Sequence, residues 1–397
     1  MSGPVYDFAV IGAGMAGASL AAELAPHARV LLLEAEDAPG YHATGRSAAF
    51  WEECYGGPDV VPLTLASGPY LRDHGFLTQR GALYVGREED RRALDEFAAR
   101  FAGTGVSIER LNAREVAAQV PLMRDDWCDA IHEPACADID VAALHQHYLG
   151  EARRAGASLA CRTRISDLVR QAGCWTLHVQ DGHSYSAAHV VNAAGAWADS
   201  VAALAGAQPL HIAPKRRTVM QLRVEPSAPV DLPLVLDISG AFYFKPDNGR
   251  LWLSPHDEIA SEPCDAAPEE IDVARAIDRF ERATRWRVAA VERRWAGLRS
   301  FAPDRLPVYG PDRQVSGFHW FAAQGGFGIQ TAPAAARLTA QTLLGHQADA
   351  MTRNLDAARY SPERFAAAPA RKVQFGNDVF DRGVTRANPV RKMRSNR

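Results

Sequence analysis

The chain has little lysine, little net charge and no long apolar run, and each shortage excludes a class of protein. Only four lysines occur, and the 44 basic and 47 acidic side chains leave a formal net charge of -3. This balance argues against general attraction to nucleic acid or to membrane surfaces. No apolar stretch reaches the roughly 20 residues of a membrane-spanning helix. We therefore expect no integral membrane segment and no nucleic-acid partner.

Cysteine is also sparse. Six cysteines are scattered along the chain without a CxxC pair, which argues against both a disulfide framework and a zinc site. The first residues lack the basic region and cleavage site of a signal peptide. The sequence therefore predicts reduced thiols, no metal site and a cytoplasmic location.

The most informative segment of the chain lies at its beginning. Residues 8–11 form an apolar run that leads directly into a glycine turn, residues 19–24 have a helical composition, and residues 30–33 form a second apolar run that ends on Glu34. This strand–turn–helix–strand–acid order is that of a dinucleotide-binding unit. A chance glycine turn is the alternative, but the complete context favours a bound dinucleotide.

The three glycines of this unit have separate expected roles. Gly12 permits the tight turn, Gly14 lets the backbone approach a pyrophosphate, and Gly17 lets the helix pack closely on the strand. The N-terminus of the helix offers free N–H groups and the positive end of its dipole to the phosphates. Glu34 can accept hydrogen bonds from a ribose diol. This motif alone does not distinguish a nicotinamide cofactor from a flavin cofactor.

The remainder of the chain predicts alternating helices and strands. A length of 397 residues corresponds to about two domains. The patterns predict helices at residues 141–155, 271–290 and 333–344, strands at 158–161, 174–179, 184–192 and 320–323, and a hairpin turn at 247–249. The last residues, 368–397, mix Arg, Pro, Gly and Asn without periodicity and are predicted to be a tail without fixed structure.

A second glycine site favours a flavin over a nicotinamide. Gly325, Gly326 and Gly328 follow the last predicted strand and precede the last predicted helix. A flavin that extends across the protein needs close backbone approach at its ring end. A helix N-terminus there would favour the negative charge that accumulates on the reduced ring. A plain tight turn before a helix is the alternative.

Several longer motifs resemble those of the D-amino-acid oxidase-like flavoenzymes. Within that group, they resemble the motifs of bacterial D-arginine dehydrogenases most. The matching stretches are residues 40–49, 137–140, 144–146, 191–197, 214–217, 242–247, 295–301 and 322–331. The resemblance implies an α/β fold with a Rossmann-like FAD-binding domain and an α+β substrate domain whose sheet is mostly antiparallel. It assigns residues 1–50, 134–210 and 292–367 to the first domain and residues 51–133 and 211–291 to the second.

The resemblance also implies a set of cofactor-binding residues. Besides Gly12, Gly14, Gly17 and Glu34, these are Met15, Ala16, Ala35, Thr44, Gly45, Arg46, Ser47, Ala49, Ile165, Ala194, Gly195, Trp197, Arg299, Gly325, Gly326, Phe327, Gly328, Ile329 and Gln330. The family's covalent attachment site is a cysteine, and none follows Arg299 here. Non-covalent FAD is therefore expected.

At the substrate, the resemblance implies that Arg299 holds a carboxylate and that Tyr243 donates a hydrogen bond beside it. Tyr55 and Gln330 would line the pocket, and Arg217 would lie near the substrate. An arginine fork pairs bidentately with a planar carboxylate, which agrees with the first role. The alternative is that Arg299 closes a structural ion pair and Tyr243 is a core residue of the sheet.

The chain departs from D-arginine dehydrogenases where a guanidinium would bind. Ala82 stands in place of the expected glutamate, and Phe50 and Trp51 stand in place of a lid histidine and tyrosine. We expect these changes to favour neutral or apolar side chains, because a buried guanidinium without a counter-charge is costly. Glu52 and Glu53 follow directly and could supply that charge, although a carboxylate pair in a lid loop is usually solvated.

The predicted reaction is oxidation of a small amino acid, of D configuration, by hydride transfer to flavin N5. The imino acid then hydrolyses to a 2-oxo acid and ammonia, and oxygen, a quinone or another carrier reoxidises the flavin. Oxidation of a secondary amine, such as an N-methyl amino acid, is an alternative. A flavin monooxygenase is disfavoured because its Gly-Asp motif is missing before the last helix. A remote alternative is an RNA-associated flavoprotein, suggested by the basic tail.

Overall fold

A computed structural model describes residues 5–48 and 50–366 of the chain. Ala49, one of the predicted cofactor contacts, and the basic tail lie outside the described residues. The helices are α1 (Met15–Leu24), α2 (Val61–Asp73), α3 (Arg91–Phe101), α4 (Ala113–Gln119), α5 (Val141–Arg154), α6 (Ala198–Leu204), α7 (Glu270–Ala283), α8 (Ala332–Leu344) and α9 (Ala357–Tyr360). Within these ranges, no helix combines the length and the apolar composition needed to cross a membrane.

The strands follow the same numbering along the chain. They are β1 (Val5–Ile11), β2 (Val30–Leu33), β3 (Phe50–Trp51), β4 (Leu77–Gln79), β5 (Ala82–Gly86), β6 (Glu109–Asn112), β7 (Asp129–Glu133), β8 (Ala137–Ile139), β9 (Ser158–Ala160), β10 (Ile165–Gln171), β11 (Cys174–Val179), β12 (Ser184–Asn192), β13 (Ala213–Glu225), β14 (Leu234–Asp237), β15 (Tyr243–Asp247), β16 (Arg250–Ser254), β17 (Ile259–Ala260), β18 (Arg287–Phe301), β19 (Val308–Pro311) and β20 (Phe318–Ala322).

The first sheet has the order β10-β11-β12-β1-β2-β9, and β20 joins it along β12 with β19 outside it. Its central pairs, β1 with β2 and β1 with β12, are parallel. Both faces are covered, which explains the unbroken apolar run of β1. Phe8 and Val10 pack under α1, α5 and α8, whereas Ala9 and Ile11 pack in the core that contains residues of α6.

The second sheet has the order β17-β13-β16-β15-β14-β5-β7-β6, and β18 pairs with the other edge of β13 along its whole length. Every pair is antiparallel except β14 with β5. One face packs on α7, where Phe280 meets Phe244 and Leu253. The two sheets together confirm the predicted fold class, a Rossmann-like domain with a second, mostly antiparallel sheet.

A small third sheet has the order β3-β8-β4 and includes Phe50 and Trp51. The helix α2 follows β3 along the chain and contributes Leu63 and Leu71 to the core that also contains Leu20 of α1. Helix α2 therefore packs on the helices of the first sheet, although residues 51–133 were assigned to the substrate domain. The domain boundaries themselves stay a prediction.

Local predictions were accurate for the nucleotide-binding unit and for the hairpin. Strand β15 ends at Asp247 and β16 begins at Arg250, with Asn248 and Gly249 at φ values of 47° and 74°. The helix predicted at residues 271–290 is wrong at its end, because α7 stops at Ala283 and β18 begins at Arg287. Backbone pairing of β18 with β13 along residues 213–225 overrides the helical composition there.

Candidate active site

One elongated cavity of about 450 Å³ lies between the two main sheets. At one end, its walls come from loops that follow β1, β2 and β12, the carboxyl ends of three neighbouring parallel strands. Ligands bind at this edge of parallel α/β sheets. At the other end, the walls come from the face of the second sheet, through β13, β15 and β18. The cavity can therefore hold a long cofactor at one end and a small substrate at the other.

The glycine turn after β1 has the geometry that a dinucleotide requires. Gly12 has a φ of 102°, and a Cβ added to Gly17 would lie 1.8 Å from the carbonyl oxygen of Gly12. The close packing of α1 on the turn therefore depends on Gly17, as predicted. Gly14 precedes the first residue of α1, and the N–H of Met15 donates to Thr44 Oγ1 over 2.9 Å.

Glu34 lies at the end of β2 and borders the same part of the cavity. Its two carboxylate oxygens accept hydrogen bonds from the backbone N–H groups of Ala13 and Glu36, each over 3.0 Å. Each oxygen keeps a lone pair, so the carboxylate can still accept from a ribose hydroxyl. The backbone contacts fix its orientation before any ligand binds.

The structure brings most of the predicted cofactor contacts to the wall of this cavity. The predicted contacts that line it are Gly12, Gly14, Met15, Ala16, Glu34, Ala35, Thr44, Arg46, Ser47, Ile165, Ala194, Gly195, Trp197, Arg299, Gly325, Gly326, Gly328, Ile329 and Gln330. Three predicted contacts, Gly17, Gly45 and Phe327, are not on the wall. Gly17 packs behind the turn, the Gly45 N–H donates to the Gly40 carbonyl oxygen, and Phe327 is buried against Val60 and Phe301.

The second glycine site differs in one respect from its prediction. Helix α8 begins at Ala332, so the glycine turn at residues 325–328 does not open the helix directly. A Cβ on Gly326 would lie 2.0 Å from Tyr55 Oη and 2.8 Å from Arg299 Nη1. The absence of a side chain at Gly326 therefore leaves the space that these two polar groups occupy. The turn joins the cofactor end of the cavity to the substrate end.

The candidate carboxylate-binding group is centred on Arg299, which was predicted to hold a carboxylate with Tyr243 beside it. Tyr55, predicted to line the pocket, contacts Arg299 directly. Arg299 Nη1 donates to Tyr55 Oη over 2.7 Å, and Nη2 donates to Glu258 Oε1 over 2.7 Å. Arg299 Nε is buried and has no hydrogen-bond partner among the described residues. The guanidinium is thus held on two sides and has an unused donor.

Glu258 ties this arginine to a second one. Its carboxylate also accepts from Arg305 Nη2 over 2.9 and 3.0 Å, and Arg217 Nη2 lies 3.8 Å away. Burial alone would raise the pKa of the Glu258 carboxyl, but Arg299, Arg305 and Arg217 lower it to about 2. Glu258 is therefore an anion at neutral pH and offsets part of the positive charge around it.

Arg217 and Arg299 project from neighbouring strands onto the same face. In the ladder of β13 and β18, Lys215 lies directly opposite Arg299. Arg217 is two residues further along β13 and is therefore the diagonal neighbour of Arg299. Burial and the neighbouring guanidinium lower the pKa of Arg217, and one of its Nη atoms lacks a hydrogen-bond partner among the described residues. This pair gives the substrate end a positive potential suited to a carboxylate.

Tyr243 and His256 complete this part of the wall. The ring of Tyr243 lies 5.4 Å from that of His256 and 6.0 Å from that of Phe50, measured between centroids. Burial raises the pKa of Tyr243. Burial, with Arg217 and Arg299, lowers the pKa of His256 well below its ordinary value, so this imidazole is neutral. Tyr243 therefore lines the cavity and also packs in the hydrophobic core of the second sheet.

Gln330 lines the cavity, but protein groups already occupy its amide. Its Nε2 donates to the Glu52 carbonyl oxygen over 3.0 Å and to Thr64 Oγ1 over 2.9 Å, and its Oε1 accepts from the Glu52 N–H over 3.3 Å. Gln330 thus fixes the backbone of Glu52.

The lid that sequence comparison suggested has a different structure. Phe50 lines the cavity as expected, but Trp51 is fully buried and donates through Nε1 to the Thr64 carbonyl oxygen. Ala82 is buried in the second sheet and is not on the cavity wall. Glu52 and Glu53 are not solvated, with 2% and 7% of their surface exposed. The reason is that residues 50–51 form β3, paired with β8, and not a loop.

Sequence analysis missed two residues of this region: His256, which lines the cavity, and Glu258, which pairs with Arg299. Both follow β16, far along the chain from Arg299, and no motif or spacing connects them to it. Register in the second sheet brings them together. Glu52 was visible in the sequence, but its position on the wall follows from the pairing of β3.

A dinucleotide-binding turn and two buried arginines on the wall of one cavity are typical of an enzyme that uses a dinucleotide cofactor. Comparison with known proteins agrees. The family model described as FAD dependent oxidoreductase matches residues 7–342, and the chain belongs to this family. It is therefore an FAD-dependent oxidoreductase.

Relatives and solved structures extend over nearly the whole chain. The chain is 25% identical to hydrogen cyanide synthase subunit HcnC of Pseudomonas aeruginosa over 421 residues, covering 92% of this chain and 97% of HcnC. Its fold is similar to that of L-proline dehydrogenase from P. horikoshii, with a TM-score of 0.79, 21% identity and coverage of 92% and 99%. It is also similar to glycine oxidase from Geobacillus kaustophilus, with a TM-score of 0.76, 22% identity and coverage of 90% and 98%.

The residues of the cavity fit FAD. A Cβ on Gly12 would lie 2.5 Å from the Ala193 carbonyl oxygen, and one on Gly14 would lie 3.1 Å from Thr44 Oγ1. A side chain at Gly12 would collide with the backbone of Ala193 and one at Gly14 would crowd Thr44, so the tight turn that presents backbone N–H groups to the cavity depends on glycine. Glu34 lines the same part of the cavity as this turn and could accept from a ribose hydroxyl, and Gly325, Gly326 and Gly328 line the wall further along.

Proposed function

We propose that this enzyme oxidises a small D-amino acid with a neutral or apolar side chain to its imino acid. Water then hydrolyses the imino acid to a 2-oxo acid and ammonia. The D configuration and the amino-acid substrate rest on the resemblance of the motifs around Arg299 and Tyr243 to those of the D-amino-acid oxidase-like enzymes. The likeness to D-arginine dehydrogenases concerns these motifs and not the residues expected to bind a guanidinium.

The observation that carries the proposal is the contact between the glycine turn and the carboxylate-binding group. Gly326 lies against Arg299 and Tyr55, so a carboxylate on Arg299 would be held next to the ring end of the cofactor site. Arg299 sets its orientation through a charged fork, and Arg217 adds a second positive charge. Positioning of this kind is the main contribution that the protein can make to hydride transfer.

The remaining requirements are an acceptor for two electrons and an amine without its extra proton. Bound FAD supplies the acceptor, which takes a hydride from the α-carbon. Arg217 and Arg299 place positive charge around the substrate, which favours the neutral amine over the ammonium form. Oxygen, a quinone or another carrier would then remove the electrons.

Oxidation of a secondary amine is the second candidate. L-proline dehydrogenase has a similar fold over nearly the whole chain, and the carboxylate of such a substrate would bind Arg299 in the same way. The two candidates differ only in the substituent on nitrogen.

Anaerobic bleaching of the flavin tests both candidates. We expect neutral D-amino acids to reduce the flavin faster than their L-enantiomers, than N-methyl amino acids and than D-arginine or D-lysine. Faster bleaching by N-methyl amino acids would establish the second candidate, and no bleaching by any member of the panel would contradict both.

The same assay tests the carboxylate-binding group. Arg299→Met should lose about 2–5 kcal/mol of transition-state stabilisation, and Tyr243→Phe about 1–2 kcal/mol. Arg223→Met, which changes an exposed arginine of β13, should behave as the wild type. An Arg299→Met variant with bound FAD and unchanged kcat/KM would contradict the assignment.

A further inference from the structure

Glu52 brings a carboxyl group to the substrate end of the cavity from the segment after β3. The side chain lines the cavity, yet only 2% of the residue surface is exposed. Its Oε1 atom has no hydrogen-bond partner among the described residues. A buried polar atom without a partner costs about 1–3 kcal/mol, and a ligand in the cavity could remove this cost.

A second buried carboxyl group, that of Glu133, stands next to Glu52. Its two oxygens accept from the N–H groups of Glu53 and Cys54 over 2.6 and 3.2 Å. Within the described part of the chain, no lysine, arginine or histidine forms an ion pair with either carboxyl group. When two carboxyl groups lie this close without a cation, the ionisation of one disfavours the ionisation of the other. The backbone donors stabilise the charge on Glu133, which leaves the proton on Glu52.

The pKa values of both carboxyl groups are raised, in agreement with this arrangement. Burial, and then the charge of Glu133, raises the pKa of Glu52 well above its ordinary value. Burial raises the pKa of Glu133 to about 7, against the opposing effect of its backbone donors. Glu52 is therefore a neutral carboxylic acid at neutral pH.

The backbone that carries this acid is fixed before substrate binds. Gln330 holds both the N–H and the carbonyl oxygen of Glu52, and Gln330 belongs to the turn that carries Gly326. The nearby wall includes Phe50 and Tyr243, in edge-to-face contact. An apolar pocket with one oriented polar group is the usual form of a specific binding site.

We propose that Glu52 binds the distal group of the substrate side chain and selects a neutral carboxamide, as in D-glutamine. The inference rests on the proposed function and deepens it. A neutral carboxylic acid presents an O–H donor beside a carbonyl acceptor, and a primary amide presents an acceptor beside an N–H donor. The two groups can form paired hydrogen bonds. An aliphatic side chain would leave both groups of Glu52 unpaired, and a guanidinium would require Glu52 to lose its proton.

The test compares D-glutamine with D-homoleucine, which has the same shape but an isopropyl group in place of the amide. We expect the wild type to favour D-glutamine in kcat/KM for anaerobic flavin reduction by roughly 10- to 100-fold, the effect of two hydrogen bonds. Glu52→Leu should abolish or reverse this ratio. Glu52→Gln should keep most of it, because an amide also offers a donor and an acceptor.

Glu53→Gln is the matched control, since Glu53 is a buried neighbouring carboxyl that is not on the cavity wall. The ratio of kcat/KM for D-glutamine to that for D-homoleucine should be the same in Glu53→Gln as in the wild type. An equal preference for both substrates in the wild type, or the same ratio in Glu52→Leu, would overturn the proposal. A wild-type preference for D-arginine over D-glutamine that Glu52→Gln removes would overturn it in favour of an ionised Glu52.

Binding of compounds without an α-amine separates this proposal from the reaction. Titration calorimetry should show that glutaramate binds more tightly than 5-methylhexanoate to the wild type but not to Glu52→Leu. If no amino acid is oxidised while this difference persists, the proposed function fails and the role of Glu52 stands. If the difference is also missing, both fail.

Discussion

At the scale of single residues, Glu258 is the main anionic partner of the cationic groups at the substrate end. It contacts Arg299 and Arg305 directly and lies close to Arg217. Removal of one partner from a buried charge cluster leaves the other charges uncompensated and is strongly destabilising. About a quarter of the Glu258 side chain is exposed, so solvent screening reduces this effect.

Glu258→Gln should lower the free energy of unfolding on the order of 1–3 kcal/mol at neutral pH. The folded-state pKa of Glu258, about 2, is below its ordinary value of 4.5. The stabilisation is therefore complete above about pH 4.5 and is lost as the pH falls towards 2. Denaturant unfolding at several pH values should show a gap between wild type and variant that narrows from pH 6 to pH 3.

Glu96→Gln provides the control, because Glu96 pairs with the exposed Arg92 on one turn of α3. This variant should lower the free energy of unfolding by about 0.3–0.5 kcal/mol. Equal unfolding midpoints for wild type and Glu258→Gln at neutral pH would contradict the role given to Glu258.

Residues within a long motif could be placed at the cavity from the sequence, whereas residues that only the fold brings together could not. Arg299 and Tyr243 were identified from the stretches around them. Glu258 was not, because its link to Arg299 is made across the second sheet. Glu52 was expected to be solvated, as two adjacent carboxylates normally are, and only the pairing of β3 with β8 buries it.

At the scale of secondary-structure elements, the turn between β20 and α8 sets the geometry of the substrate end. Gly326 has no positive φ, so an alanine there would not strain the backbone, and its effect would be steric. The added methyl would overlap Tyr55 Oη and Arg299 Nη1. Gly326→Ala should therefore cost about 1–3 kcal/mol in kcat/KM, the scale of overpacking a tight site, while FAD stays bound.

The measurement is anaerobic flavin reduction together with the dissociation constant of FAD. Gly150→Ala is the control, because Gly150 lies within α5 and a Cβ there would come only within 3.6 Å of Arg154. This variant should gain about 0.5–1 kcal/mol of stability from higher helix propensity and keep wild-type kinetics. Unchanged kinetics in Gly326→Ala would show that the turn is free to move away from Tyr55.

Elements were predictable where local pattern and tertiary contacts agree. The apolar run of β1 and the glycine turn after it gave the nucleotide-binding unit correctly. Strand β18 was missed because residues 287–294 are rich in Arg, Ala and Glu, a helical composition. Its partner β13 supplies a ladder along residues 213–225, and such long-range pairing has no signature in a local window.

At the scale of the whole molecule, the cavity wall is shared by the two main sheets. The loop after β2 is tied to the second sheet through Arg46, whose Nη1 donates to the carbonyl oxygens of Ala266 and Ala296 over 2.8 and 3.2 Å. Trp295 Nε1 donates in return to the Arg46 carbonyl oxygen over 2.9 Å. A cofactor in this cavity would touch both sheets, so its binding free energy should stabilise both.

We expect FAD to be bound without a covalent link and to stabilise the folded chain. Free FAD at about 100 times its dissociation constant should add about 2.7 kcal/mol to the free energy of unfolding, seen as a higher melting temperature. Intact FAD should appear in the supernatant after denaturation. Among the described residues, Cys264 is the cysteine that lines the cavity, and it is exposed. Flavin that stays with the precipitated wild type but is released from Cys264→Ser would show a covalent link, and a melting temperature unaffected by FAD would contradict the assigned cofactor site.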